Sequence, residues 1–255
     1  MPLALDFEFD VVRRYLFHDL IIDAAWITLQ VAVISQVVGI TLGIGFAVMR
    51  TSKNPIARGV SGFYVWFFRG TPVLLQLFIL YFGLPQLIDD VSFTRELTAF
   101  RAAIIAFGLN EGAYMTEIVR AGILSVESGQ MDASKSLGMT QLQAMRRIIL
   151  PQALRVVVPP TGNEFIAMLK NTSLASAIGL VELLHRTNLI YSTNFKFMEL
   201  LVVAAIWYLA MTTVLSLIQA EIERKLAVGE RDRPETLFSR IAALTGGRPD
   251  FRARV

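Results

Sequence analysis

A set of polar side chains stands inside otherwise apolar sequence, and their types suit the holding of a charged solute more than the making or breaking of bonds. Asn110, Tyr114 and Glu117 recur at i, i+4 and i+7, which puts them on one helix face, with Glu111 one step round. Asn163, Ala167 and Lys170 share a second face, with Glu164 beside it. Arg69 lies in a third apolar stretch, and Pro72 soon after it breaks the helix locally. A broken helix leaves backbone groups that must face protein or a water-filled cavity. Cations in such a place hold an anionic group, and carboxylates hold a cationic one. The same charges can instead pair with one another and fix the packing, or line a rim. The sequence weighs these two readings evenly.

Bond chemistry is poorly served. The chain has no Cys, which removes thiolate metal sites, disulfides and Cys nucleophiles. His18 and His185 are far apart and show no metal-ligand spacing. Ser and Thr occur in the apolar blocks, but no credible base accompanies them, so an intramembrane enzyme is not expected. A phosphate-binding loop needs Gly-Lys-Ser/Thr. None of Lys53, Lys135, Lys170, Lys196 and Lys225 follows a Gly, so the standard means of binding ATP is missing.

The elements that must position these residues are membrane helices. Of 255 residues 54% are hydrophobic and 18% charged, and the mean hydropathy is +0.54. A soluble domain carries roughly 25% charged residues. A net charge of +3, with basic residues scattered among apolar blocks, gives no ground for nucleic-acid binding. A helix needs about 20 apolar residues to cross the bilayer core. Five blocks meet this, at about 20–48, 60–84, 99–119, 152–181 and 198–220. The expected fold is all-α, a polytopic membrane protein of five transmembrane helices. A soluble protein with buried core helices is set aside, because little polar sequence is left to cover five apolar helices. In the first block Ser35, Gly39, Gly43 and Ala47 form a row of small residues suited to close helix packing. Trp26, Trp66 and Trp207 fit either interfacial anchoring or the core.

Asp6, Glu8 and Asp10 stand where a signal peptide would be basic, so the first block is expected to stay in the mature protein. Lys and Arg in the connections set orientation. Arg13, Arg14, Arg95, Arg186 and Lys196 fall on one side. Arg50, Lys53, Arg58, Arg120, Lys135, Arg146, Arg147, Arg224, Lys225, Arg231 and Arg233 fall on the other. The N-terminus is therefore expected in the periplasm and the C-terminus in the cytoplasm. Residues 1–19 form an external segment, 20–225 the membrane domain, and 226–255 a mobile cytoplasmic tail.

The cytoplasmic connection 121–150 is not a plain linker. It reads as two short helices, about Met131–Leu137 and Gln141–Leu150, separated by Gly138. Asp132 is expected at the start of the first, and Pro151 in the first turn of the next span. Helices this short must pack on something. Asp132-Ala133-Ser134, then Gly138, Ile148, Leu150 and Pro151 resemble the cytoplasmic signature of ABC-importer permeases: Glu-Ala-Ala, three residues, Gly, nine residues, Ile, one residue, Leu-Pro. Asp132 and Ser134 replace Glu and Ala. Phe68-Arg69-Gly70-Thr71-Pro72, Gln76-Leu77-Phe78, Tyr81-Phe82-Gly83-Leu84-Pro85, Leu109-Asn110-Glu111-Gly112-Ala113-Tyr114, Glu117-Ile118-Val119-Arg120 and Leu169-Lys170-Asn171-Thr172-Ser173-Leu174 resemble the polar amino-acid branch. The resemblance covers about residues 28–223.

The resemblance implies a division of labour. The chain would form half of a pathway in a bacterial inner membrane, beside a second copy or a homologous permease. Two copies of an ATPase subunit would bind below, carrying ATP and Mg, and a periplasmic or lipid-anchored binding protein would deliver a polar amino acid. No cofactor, metal or catalytic residue is expected on this chain. Asp132, Ala133, Ser134, Leu137, Gly138 and Met139 would form the coupling helix that docks in the ATPase. Arg69, Thr71, Asn110, Glu111, Tyr114, Glu117, Asn163, Glu164 and Lys170 would line the substrate pathway. Arg69 and Lys170 would meet the amino acid's carboxylate, and Glu111 and Glu164 its ammonium. The competing reading is an ion-coupled secondary transporter. Such folds usually show paired internal repeats, which this sequence lacks, and the cytoplasmic helix pair would then have no role.

Overall fold

The computed structural model describes residues 7–88 and 95–226, and these are helical with no strand among them. The expected tail beyond residue 226 and part of the second connection lie outside the described residues. Helix α1 is Phe9–Leu16 and α2 is Asp19–Thr51. His18 starts α2, its Nδ1 accepting from the Leu20 amide at 3.2 Å, so this histidine is a cap rather than a ligand. Asn54 starts α3, Pro55–Gly70, by accepting from the Ile56 and Ala57 amides, with Pro55 in the first turn where its missing N–H costs nothing. After a bend of 102° comes α4, Val73–Leu87, whose middle winds as a π turn. Then follow α5, Ala99–Leu124, and α6, Ser128–Ser136. Helix α7 runs Gln141–Ile178, and α8, Leu183–Asn194, leaves it at 48° after Gly179, whose φ of +80° ends the helix. Helix α9 is Phe197–Leu226.

Helices α2 and α9 are each long and apolar enough to cross a bilayer. The bent pairs α3–α4 and α7–α8 qualify if each is one span. Helix α5 carries Arg101, Asn110, Glu111, Glu117 and Arg120 within its 26 residues, and these polar groups leave it less apolar than the candidate spans. The described residues therefore hold two to four candidate spans by length and composition.

The core lies where α2 meets α5. Gly39 and Gly43 face α5 so closely that a Cβ on Gly39 would fall 2.4 Å from Glu111 Cγ, and one on Gly43 2.3 Å from Met115 Cβ. The row of small residues is thus a packing seam within the subunit. Val31, Leu77, Ala103, Phe107, Leu169 and Ile178 bury the space between α2, α4, α5 and α7. The outer faces of α3 and α9 stay apolar and exposed, as at Phe63 (64%) and Leu209 (66%). Trp26 and Trp66 are also exposed, whereas the Trp207 indole donates to the Leu16 carbonyl at 2.8 Å and ties α9 to α1.

Three local expectations are corrected. The first helix of the 121–150 connection starts at Ser128, after Glu127, so Asp132 sits mid-helix and not at its positive end. The second is no separate helix. Its stretch runs unbroken into α7, because a π turn at Met145–Ile149, closed by the Leu150 amide on the Met145 carbonyl, absorbs the disruption that Pro151 would otherwise cause. The fourth block does not reach residue 181 as one helix, because Gly179 ends it.

Candidate functional site

Two places bring the polar residues together. The first is the bend between α3 and α4. Gln76, one turn into α4, folds back and donates through Nε2 to the Phe68 carbonyl (2.9 Å), the Thr71 carbonyl (3.0 Å) and Thr71 Oγ1 (2.8 Å). Asn110 of α5 donates to the same Phe68 carbonyl at 2.8 Å and to Gln76 Oε1 at 3.2 Å. Backbone freed by Pro72 is satisfied by two side-chain amides, which lets the chain turn sharply between apolar helices. Gln76 is a site residue that a search for charges passes over, although an amide in an apolar run is itself a signal.

Beside the bend opens a cavity of about 430 Å³, lined by Arg69, Thr71, Asn110, Glu111, Tyr114 and Glu164, with Pro72, Phe107, Met168 and Asn171 among the rest. The Arg69 guanidinium lies 5.0 Å from the centre of the Tyr114 ring, within cation–π reach. Glu111 is buried, and its Oε1 accepts from Gln36 Nε2 of α2 at 3.0 Å. Gln36 is a second amide missed in the sequence for the same reason. The lining therefore presents a guanidinium, two carboxyl groups, two amides and two hydroxyls. That set can hold both ends of a small zwitterion.

Glu117, Asn163 and Lys170 are not in this lining. Glu117 pairs with Arg120 at 2.7 Å and lies 3.8 Å from Arg50, joining α5 to the end of α2. Asn163 accepts from Gln219 of α9 at 3.1 Å. Lys170 is exposed. On α7 the cavity face runs Glu164, Met168, Asn171, one residue round from the face expected.

The second place is the turn between α6 and α7, expected on the cytoplasmic side. Helix α6 ends with the Met139 amide on the Ser134 carbonyl (3.1 Å) and the Gly138 amide on the Lys135 carbonyl (2.9 Å). This double closure requires positive φ at Gly138, which has +80°. Thr140 and Gln143 then cap α7 reciprocally, with bonds of 3.3 Å and 2.9 Å. Asp132, Ala133, Leu137 and Gly138 are exposed, Met139 is partly so, and Ser134 is buried with its hydroxyl on the Gln130 carbonyl at 2.6 Å. The Leu137 side chain, 83% exposed, stands out from the turn.

Residues 39–228 match the family model of the binding-protein-dependent transport system inner membrane component. The chain belongs to that family. Its relatives place it among the ABC permeases for polar amino acids. It is 43% identical over 247 residues to the arginine transport system permease protein ArgU of Corynebacterium glutamicum, covering 93% of this chain and 77% of the relative. It is 38% identical over 227 residues to the L-cystine transport system permease protein TcyB of Bacillus subtilis, covering 89% and 94%. The solved structure of an amino acid ABC transporter with histidines superposes with a TM-score of 0.77 at 35% identity, over 86% of this permease and 98% of that chain. The MetNI methionine ABC transporter, at 20% identity and a TM-score of 0.67, shares the fold. The ion-coupled alternative finds no support in these matches.

Proposed function

We propose that this permease forms half of the pathway by which a polar L-amino acid crosses a bacterial inner membrane, and that a separate ATPase drives it through α6. The observation that carries the reading is the cavity in which Arg69 stands among Glu111, Glu164, Asn110, Tyr114 and Thr71. An amino acid needs a cation for its carboxylate and an acid for its ammonium, and both lie around one space large enough for a small ligand. Arg69, fixed over Tyr114, takes the carboxylate; Glu164 takes the ammonium. Glu111, already held by Gln36, shapes the polar wall. Glu117, Asn163 and Lys170 act around the pathway, with Glu117 and Asn163 fixing the packing.

The chain crosses five times, with α5 as the span whose charges face the bundle interior. The segment 1–19 is periplasmic, 20–225 is the membrane domain, and 226–255 is cytoplasmic. Two ATPase subunits, binding ATP and Mg, receive the exposed edge formed by Asp132, Ala133, Leu137, Gly138 and Met139, while Ser134 anchors that edge from within. A second permease, identical or homologous, completes the pathway, lipid covers the apolar faces, and a periplasmic or lipid-anchored binding protein delivers the solute. The names of the relatives favour arginine, cystine and glutamine as the first solutes to try.

The test is ATP hydrolysis by the reconstituted complex with its binding protein, stimulated in turn by L-arginine, L-cystine and L-glutamine. Glu164→Gln and Arg69→Gln should each abolish stimulation while leaving assembly intact, since a charged hydrogen bond contributes about 1.5–3 kcal/mol. Full retained stimulation in both variants sinks the cavity reading.

A further inference from the structure

Between the coupling helix and the cavity, α7 contains a joint. Pro159 and Pro160 stand back to back inside it. Neither has an amide hydrogen, so the carbonyls one turn earlier, on Arg155 and Val156, lose their helical donors and the rod loses stiffness there. Thr161 turns its hydroxyl back onto the Val157 carbonyl at 2.8 Å. Gly162 follows, and a Cβ there would fall 2.5 Å from Gln219 Cδ and 2.7 Å from its Cγ. The missing side chain is what lets Gln219 of α9 lie flat against the joint. Gln219 Nε2 reaches the Pro159 carbonyl at 3.2 Å, Asn163 Oδ1 at 3.1 Å and Glu223 Oε1 at 2.7 Å. An amide nitrogen carries two hydrogens, so three acceptors compete for two donors. Two of the acceptors belong to α7 and one to α9 itself.

We propose that Gln219 is a positioning residue that clamps the double-proline joint of α7 to α9, so that the end of α7 next to the coupling helix and the half lining the cavity move as one rod. This rests on the coupling role assigned to α6 above. Without the clamp the joint bends, and movement imposed at the cytoplasmic end is absorbed before it reaches Glu164. With it, the same movement arrives at the cavity. Because the donor is shared, one hydrogen can shift from Asn163 to Glu223 while the other stays on the Pro159 carbonyl, which allows the clamp to loosen and retighten within a transport cycle.

Gln219→Met keeps the length and removes both hydrogens. The complete complex, with ATPase and binding protein, is reconstituted and supplied with whichever of L-arginine, L-cystine and L-glutamine the unmodified complex takes up. Uptake per ATP should fall about five- to tenfold, the shift that loss of two net hydrogen bonds permits, with ATP hydrolysis within about twofold of its original rate. Since the chain has no Cys, Ser136→Cys with Ala177→Cys gives this permease two labelling positions; labelled before assembly and diluted with unlabelled permease, it should show a distance between them that becomes broadly distributed in Gln219→Met. Gly162→Ala, which pushes Gln219 away, should behave alike and serves if Gln219→Met assembles poorly. Replacing both prolines by Ala restores the amide hydrogens, and should return uptake per ATP and a narrow distance in the Gln219→Met background. A residue that merely packs would show no such rescue. Unchanged uptake per ATP together with an unchanged distance, or no rescue by the proline replacements, overturns the clamp. If the unmodified complex hydrolyses ATP without transport, the coupling role falls instead, and the spin-label distances still decide whether the joint is clamped.

Discussion

The turn between α6 and α7 takes its shape from neighbours in sequence, whereas the α2–α5 seam takes its shape from residues such as Gln36 and Glu111, 75 positions apart. At the turn, Thr140 and Gln143 cap each other, and the Gly138 and Met139 amides close onto α6. Its outward side chains are exposed. Along the seam, glycines on α2 press against Glu111 and Met115 with no space for a Cβ. The turn proposed to fit another protein keeps its form by local bonds while its surface stays free. The seam beside the cavity is built by mutual burial. Damage should therefore spread differently from the two places.

The largest effect is expected at the seam. Gly43→Val would drive a side chain into the Met115 backbone, whose carbonyl carbon lies 2.9 Å from the position of a Cβ. Overpacking of this kind costs about 1–3 kcal/mol, occasionally more, and should lower the melting temperature of the detergent-solubilised permease. Gly45→Ala, two residues on, meets nothing within 4 Å and should leave melting unchanged or raise it slightly. Equal melting of the two variants would break the contrast. At the turn, Gly138→Val forces a β-branched residue into left-handed geometry, at about 1–2 kcal/mol. That should reduce the ATPase recovered with the permease on co-purification while sparing the permease's own melting point. A drop in melting as large as that of Gly43→Val would show that the turn is not a local structure. The smallest change is expected for Ser134→Ala. The hydroxyl only returns to its own helix, and alanine is the better helix former by a few tenths of a kcal/mol. Co-purification should stay the same, and a clear loss would mean the hydroxyl meets the partner.

Periodicity in the sequence was a good guide to which stretches are helical, and a poor guide to how they are turned. Each of the five apolar blocks overlies helix, and Pro72 marked the bend. Asn163 and Lys170 do share a face, as their spacing requires, but the cavity lies against Glu164, Met168 and Asn171. One residue corresponds to about 100° of rotation on a helix, and nothing local sets that phase. It comes from Met168 and Leu169 packing into the core around Phe107. Glu117 was legible as a costly charge, yet its pairing with Arg50 depends on where α2 ends relative to α5. Pro151 read as a boundary because a proline normally is one. The π turn before it, which keeps the helix whole, leaves no composition of its own. Gln36 and Gln219 carry no charge signal in the sequence, and Gln76 stands there only as part of a resemblance, since uncharged amides look bland in a hydropathy profile and become informative only once their acceptors are known.

In the proposed pathway the bend between α3 and α4 forms the floor, and this has a consequence for turnover. Its loose backbone ends are met by Gln76 and Asn110, so the floor of the pathway does not depend on cargo to complete its own bonding. A carrier that borrowed those bonds from its passenger would cling to it and stall. A self-sufficient floor would let a passenger be gripped by a few charges and surrendered on every stroke, and speed would then be a property of what the protein already does for itself.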